Sequence, residues 1–225
     1  AKAIDTRIAY GLRAAAVMRQ TGGTAKFNNL YVGWADGGYA SAAYYMTTRF
    51  SDIASFVCTA LSFTIFPFAA RLAAQGKSTT PIVLKSCGAI LISNTLLAIF
   101  FWFLGRPILA ILPNGEQYAD YFWSIDLVIL QGTLAQFALL YTTAEVSANR
   151  FRYMWWSVPL SLAYPAMLLF VTGFGYFSAY LPNSLTDFLS THNITTLSTI
   201  LWWSIGYHAV RLALCIVDSC CKRKS

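Results

Sequence analysis

Charge is scarce in this chain. Only 11% of its 225 residues are Asp, Glu, Lys or Arg, against about 25% in an ordinary soluble domain. Residues 86–105, 127–144, 153–186 and 188–210 carry none at all. Several of these runs reach the roughly 18 residues that a membrane-spanning helix needs. One soluble domain, which the length alone would allow, is excluded by that distribution. Histidine is scarcer still, with two, and the five cysteines form no Cys-x-x-Cys spacing and no His/Cys cluster. No metal site or cofactor is indicated. Nor is a nucleophile–base pair visible, so a membrane-embedded enzyme is the least favoured class. The first residue is Ala, no signal-peptide layout follows it and no internal repeat is detectable, so a processed product or a fragment is the expectation.

What the chain has is apolar surface, at 57% of residues, and a net charge of +7. In a soluble domain that charge would point to nucleic acid. Here the cations sit at segment ends, where they orient helices in a bilayer, and nucleic acid is not an expected partner. The fold class is therefore all-α: a polytopic membrane bundle of five to six transmembrane helices.

The stretch from Asp36 to Gly76 organises the rest. Gly37 and Gly38 free the backbone to leave one element and begin another. From Tyr39 to Phe66 no proline or glycine intervenes, and at about 1.5 Å per residue that run exceeds a hydrocarbon core of about 30 Å. Pro67 is expected to stop the helix, with Arg71 and Lys77 on a cytoplasmic exit. Arg49 and Asp52 lie three apart, share a face and can pair. Ionisable groups so deep in an apolar run are costly unless they face protein, water or a partner. Thr47, Thr48, Ser51, Ser55, Thr59 and Ser62 widen the polar side. Two readings stay open: a helix lining a hydrated cavity, or an Arg–Asp lock between packed helices with the hydroxyls bonded back to the backbone.

These residues also carry a resemblance. Gly38, Tyr39, Ala42 and Ala43 match the opening turn, and Phe66, Pro67, Ala70 and Arg71 the exit, of a helix in polysaccharide and lipid-linked oligosaccharide flippases. The stretches Gly105–Leu109 and Gly115–Ala119 resemble that family's short inter-helix loop. The match covers about residues 28–175 and falls in the second half of the family, part of the multidrug/oligosaccharidyl-lipid/polysaccharide exporter superfamily. It implies one six-helix lobe of a two-lobe transporter that rocks around a central hydrated cavity.

Along the chain, Lys2, Arg7, Arg13, Arg19 and Lys26 give residues 1–35 a basic face, as in an amphipathic helix on anionic lipid or a degenerate first helix. Further segments are expected over Tyr39–Phe66, Pro81–Leu104, Phe122–Ala144, Tyr153–Thr172 and Leu197–Val217, closing a bundle at 36–217 before a basic tail at 218–225. Pro159 and Pro165 imply kinks in the fifth segment. Cys58, Cys87 and Cys215 read as small packing residues, and Cys220–Cys221 as a juxtamembrane pair open to acylation. Asn193-Ile194-Thr195 matches a glycosylation acceptor. Trp202–Trp203 suit an interfacial belt, while His208 and Arg211 are expected to snorkel or cap near the inner end.

The loops 67–85 and 145–152 and the tail are rich in Lys and Arg; 105–121 and 173–196 are poor. That alternation places the C-terminus in the cytoplasm. The expected function is export or flipping of lipid-linked oligosaccharide or polysaccharide precursors, in a membrane of the bacterial inner type. The expected partners are the bilayer, the lipid-linked sugar, and a second lobe or another copy of the chain, since one lobe cannot supply both walls of the cavity. Arg49 is the first candidate to hold phosphate, because its planar fork makes bidentate contacts. Asp52 would orient it, and Gln131, Asp126 and Asn94 follow. The rival readings are a non-transporting scaffold or partner subunit, and a cation-coupled small-molecule exporter.

Overall fold

A computed structural model describes residues 26–33, 37–111, 118, 121–172 and 196–222. They form helices α1 (26–33), α2 (Gly37–Ala74), α3 (Thr80–Ile111), α4 (Trp123–Ser147), α5 (Met154–Thr172) and α6 (Thr196–Lys222). No strand occurs among the described residues. Hydrocarbon offers no partner to a backbone N–H or C=O, so an apolar chain crosses it with its peptide groups satisfied within each helix. Helices α2, α3, α4 and α6 are long and apolar enough to do so. The chain is a helical membrane bundle.

Proline does not end the helices where the sequence places the stops. Pro67 lies inside α2, which continues to Ala74, and Pro107 lies inside α3, which continues to Ile111. Each proline forfeits one backbone donor. The apolar residues beyond it would forfeit many more by leaving the helix, so the helix persists.

Helices α2 and α4 end on left-handed residues. Gly76 has φ 68°, the Lys77 N–H reaches the Leu72 carbonyl at 2.9 Å and the Gly76 N–H reaches Ala73 at 3.0 Å. Asn149 does the same for α4, with φ 56°, Arg150 N–H on Glu145 at 2.8 Å and Asn149 N–H on Val146 at 3.0 Å. Both ends are Schellman motifs, and glycine and asparagine are the residues that tolerate the position.

Helix α4 is the centre of the bundle, packed by α2, α3 and α6. Tyr44 and Val128 share a cluster with Leu197 and Ile200 at one end. Ile65 and Ala69 meet Leu140 and Ala144, together with Val83, at the other. Phe101 and Leu109 meet Ile125. Helices α2, α4 and α6 therefore run parallel to one another and α3 runs antiparallel. Small residues permit the closest approach, as is usual between membrane helices. Ala40, Ala43, Ala54 and Ala69 fall on the buried face of α2. A Cβ on Gly132 of α4 would stand 2.5 Å from the Ser51 hydroxyl of α2.

The basic face of residues 1–25, the centre of the 105–121 loop and the 173–195 loop with Asn193–Thr195 lie outside the described residues. At the far end α6 runs on to Lys222, into the stretch read as a tail. Cys58 and Cys215 are buried, as packing residues would be, and Cys220 is exposed.

Candidate functional site

Arg49 and Asp52 meet as their spacing requires, with Nη1 donating to Oδ2 at 3.1 Å. Their direction is the surprise. The side chains are 56% and 64% exposed, so the pair points away from the bundle and locks no second helix among the described residues. Arg49 also lies over the Tyr45 ring, 4.3 Å from its centroid, a cation–π contact that covers one face of the guanidinium. Around it the hydroxyls are spent locally. Thr48, Ser55, Thr59 and Thr64 each donate to a carbonyl three or four residues back, at 2.7 to 3.1 Å. That is the usual fate of a hydroxyl with no water beside it.

Asp52 stands at the rim of an open groove of about 780 Å³ between α2 and α3. Ile53, Phe56, Val57, Leu97 and Phe100 wall it. Helix α2 is 38 residues long, about 57 Å at 1.5 Å per residue, and Arg49 falls in the third nearest its N-terminus. The site is thus a charged pair at one level of the bilayer with an apolar trough running from it.

The other residues singled out from the sequence do not join this site. Asn94 of α3 is 2% exposed, and its Nδ2 donates to Thr133 Oγ1 at 2.8 Å and to Gln136 Oε1 at 3.1 Å on α4. It is the interhelical tie that a lone mid-helix asparagine implies. Asp126 and Gln131 are half-buried on α4, and one oxygen of each is covered without a hydrogen-bond partner.

A second polar assembly lies inside the bundle, and the sequence reading missed it. Asn28 of α1 is fully buried. It donates through Nδ2 to the Tyr44 hydroxyl at 3.3 Å and accepts the Tyr164 hydroxyl on Oδ1 at 2.8 Å, so one side chain joins α1, α2 and α5. The Tyr164 and Tyr207 rings lie 4.7 Å apart, and the Tyr207 and Ser161 hydroxyls are 3.0 Å apart. Nearer the C-terminus, Tyr141 donates to Asp218 Oδ2 at 2.6 Å, and Arg152 Nε stands 3.6 Å from Asp218 Oδ1.

His208 and Arg211 neither snorkel nor cap. They are 2% and 0% exposed. Ser204, His208, Arg211, Cys215 and Asp218 recur at steps of four, three, four and three, which is one face of a helix, and every one is buried. That spacing was the available signal. It was obscured because a histidine and an arginine near the inner end of a segment suit a headgroup layer equally well.

No protein family, curated protein or solved structure matches the chain.

Proposed function

We propose that the chain is a membrane transport protein, one helical lobe of a flippase-type exporter that passes an amphiphile with an anionic head across the bilayer. Lipid-linked oligosaccharide or polysaccharide precursors are the substrate class. The observation that carries this reading is the Arg49–Asp52 pair, more than half exposed at the rim of an apolar groove. Charge turned outward from a membrane helix is stable only against water, protein or a polar ligand. Arg49 engages the phosphate, Asp52 holds the guanidinium in place, and the lipid tail stays along the trough. No covalent bond is made or broken. The outward-facing pair also calls for a second wall, supplied by another lobe or another copy of the chain, and alternating access follows from the rocking of the two. The cation-rich end of the bundle is cytoplasmic, in a bacterial inner membrane.

Reconstitution with a fluorescent lipid-linked oligosaccharide tests the proposal. Arg49→Ala should lower the flipping rate at least tenfold while folding is unchanged. An Arg49→Ala protein that folds and flips normally overturns it. So does a monodisperse monomer that flips as fast as any assembly.

A scaffold or partner subunit is the second reading. It is favoured by the pair's being satisfied within its own helix and by the hydroxyls' bonding to their own backbone. Under that reading Arg49→Ala weakens assembly, and the wild-type protein flips nothing.

A further inference from the structure

Helix α2 has two faces of the same period. Ala43, Thr47, Phe50, Ala54, Cys58 and Ile65 are buried toward the bundle. Tyr45, Arg49, Asp52, Phe56, Ala60 and Phe63 recur at steps of three and four on the other side, and every one is exposed. A face that meets only hydrocarbon is apolar throughout. This one carries an acid and a base, and Arg49 lies ten residues beyond Tyr39, about 15 Å further in than that aromatic end. Charge at such a level needs a polar neighbour.

The pair satisfies itself only in part. Arg49 Nη1 donates to Asp52 Oδ2 at 3.1 Å, and the Tyr45 ring covers one face of the guanidinium at 4.3 Å. Nε and Nη2 of Arg49 and Oδ1 of Asp52 make no hydrogen bond among the described residues. The unmet groups are thus donors on one residue and an acceptor on the other, with no net charge between them. A lone anion answers the first and leaves the second. A second Arg49–Asp52 pair answers both.

We propose that the outward face of α2 is the interface of a two-fold symmetric homodimer, in which each Arg49 reaches the partner's Asp52. Two copies inserted with one topology run their α2 helices parallel, so both pairs arrive at the same depth. The symmetry axis then closes four charges into a ring of alternating sign. Arg49 and Asp52 are three residues apart, about 4.5 Å along the helix, a rise that an arginine side chain spans. Such complementarity fixes both partner and register. Beyond the ring, Ala60 lies between Phe56 and Phe63, and small residues among large ones let membrane helices approach. The inference rests on the outward-facing pair of the proposed function and names its second wall as another copy of the chain. Each guanidinium has five N–H donors, so contacts to two carboxylates leave donors for phosphate.

The test is the mass of the full chain in detergent, with charge-reversed variants measured alone and mixed. The wild type should be a dimer. Arg49→Asp and Asp52→Arg each set like charges in the ring, so either alone should dimerise about tenfold more weakly or worse. An equimolar mixture of the two should restore a one-to-one heterodimer. A monomeric wild type, a mixture that stays monomeric, or single variants as dimeric as the wild type each overturn the proposal. If the variants do not fold, oxidative cross-linking in vesicles decides. In a chain stripped of its five native cysteines, Ala60→Cys should form an intermolecular disulfide, and Trp102→Cys, exposed on α3, should not. No cross-link at Ala60→Cys, or an equal one at Trp102→Cys, overturns it. The proposed function fails on a different result, normal flipping by Arg49→Ala. A monomeric wild type that flips nothing alone sinks the homodimer and leaves a separate lobe as the second wall.

Discussion

The Tyr141 hydroxyl donates to Asp218 at 2.6 Å, tying α4 to α6 near the C-terminal end of both helices. Asp218 is only 7% exposed, so this bond is well shielded from water. A hydrogen bond to a charged group contributes about 1.5–3 kcal/mol. Tyr141→Phe should therefore lower the unfolding free energy in detergent by that amount. Asp218→Asn, which keeps an acceptor oxygen, should cost less. The partner Arg152 is 67% exposed and 3.6 Å away, so Arg152→Ala should change stability by under about 1 kcal/mol. A Tyr141→Phe protein as stable as the wild type would show that the tie does not hold the two helices.

Asn94 makes a second prediction. It reaches from α3 to Thr133 and Gln136 of α4. Polar ties between membrane helices average about 0.6 kcal/mol and reach about 1.7. Asn94→Leu should cost an amount in that range, because it strands the Gln136 amide in an apolar setting. Adding Gln136→Leu should return most of the loss, since two apolar groups pack without an unmet partner. Under the proposed function, flipping should survive both changes. A folded Asn94→Leu protein that has lost transport would place Asn94 on the substrate path instead.

How much of this was legible in the sequence depends on the interaction concerned. The apolar runs fix the helices, because in hydrocarbon the backbone has no other way to satisfy itself. The fifth segment, expected over Tyr153–Thr172, is observed as Met154–Thr172. Pro67 and Pro107 misplace two helix ends because proline signals a stop only where water can take the freed carbonyl. Gly76 marks the real end of α2, as Asn149 marks that of α4, and both are residues whose backbone preferences can be read locally. The pairing of Arg49 with Asp52 is likewise local and follows from i, i+3 spacing. Its outward direction is not local: that depends on which face of α2 meets α4, and Ala40, Ala43, Ala54 and Ala69 decide it. Asn28 is legible in no window, because its partners Tyr44 and Tyr164 lie 16 and 136 residues away.

That choice of face gives a third prediction. Gly132 of α4 meets the Ser51 hydroxyl so closely that an added Cβ would lie 2.5 Å from it. The hydroxyl can rotate, so Gly132→Ala should cost about 1 kcal/mol or less. Ser51→Ala in the same chain should remove that cost, a direct coupling of α2 to α4. Gly132→Leu leaves no such escape and should cost roughly 1–3 kcal/mol or more. Equal stability of Gly132→Leu and wild type would mean that α2 and α4 do not pack face to face here.

The last prediction concerns orientation in the bilayer. Helices α2, α4 and α6 run parallel, so the α2–α3 turn, the α4–α5 turn and the C-terminal end of α6 lie at one end of the bundle. The 3.6 Å approach of Arg152 to Asp218 brings two of these together. Arg71, Lys77, Lys85, Arg150, Arg152 and Lys222 all belong to that end. The opposite end is aromatic: Tyr39 stacks on Tyr118 at 5.3 Å and meets Tyr121 at 6.1 Å. Basic loops are retained on the cytoplasmic side, and aromatic rings settle at an interface. Single cysteines at Lys77, Arg150 and Tyr118, in a chain stripped of its five native cysteines, make this measurable with a thiol reagent that cannot cross the membrane. Tyr118→Cys should label from outside intact cells, whereas Lys77→Cys and Arg150→Cys should label only after the membrane is opened. Labelling of Tyr118→Cys and Lys77→Cys from the same side would mean that α3 does not cross. The antiparallel packing of α3 on α2 and α4 would then belong to a bundle lying on the bilayer rather than through it.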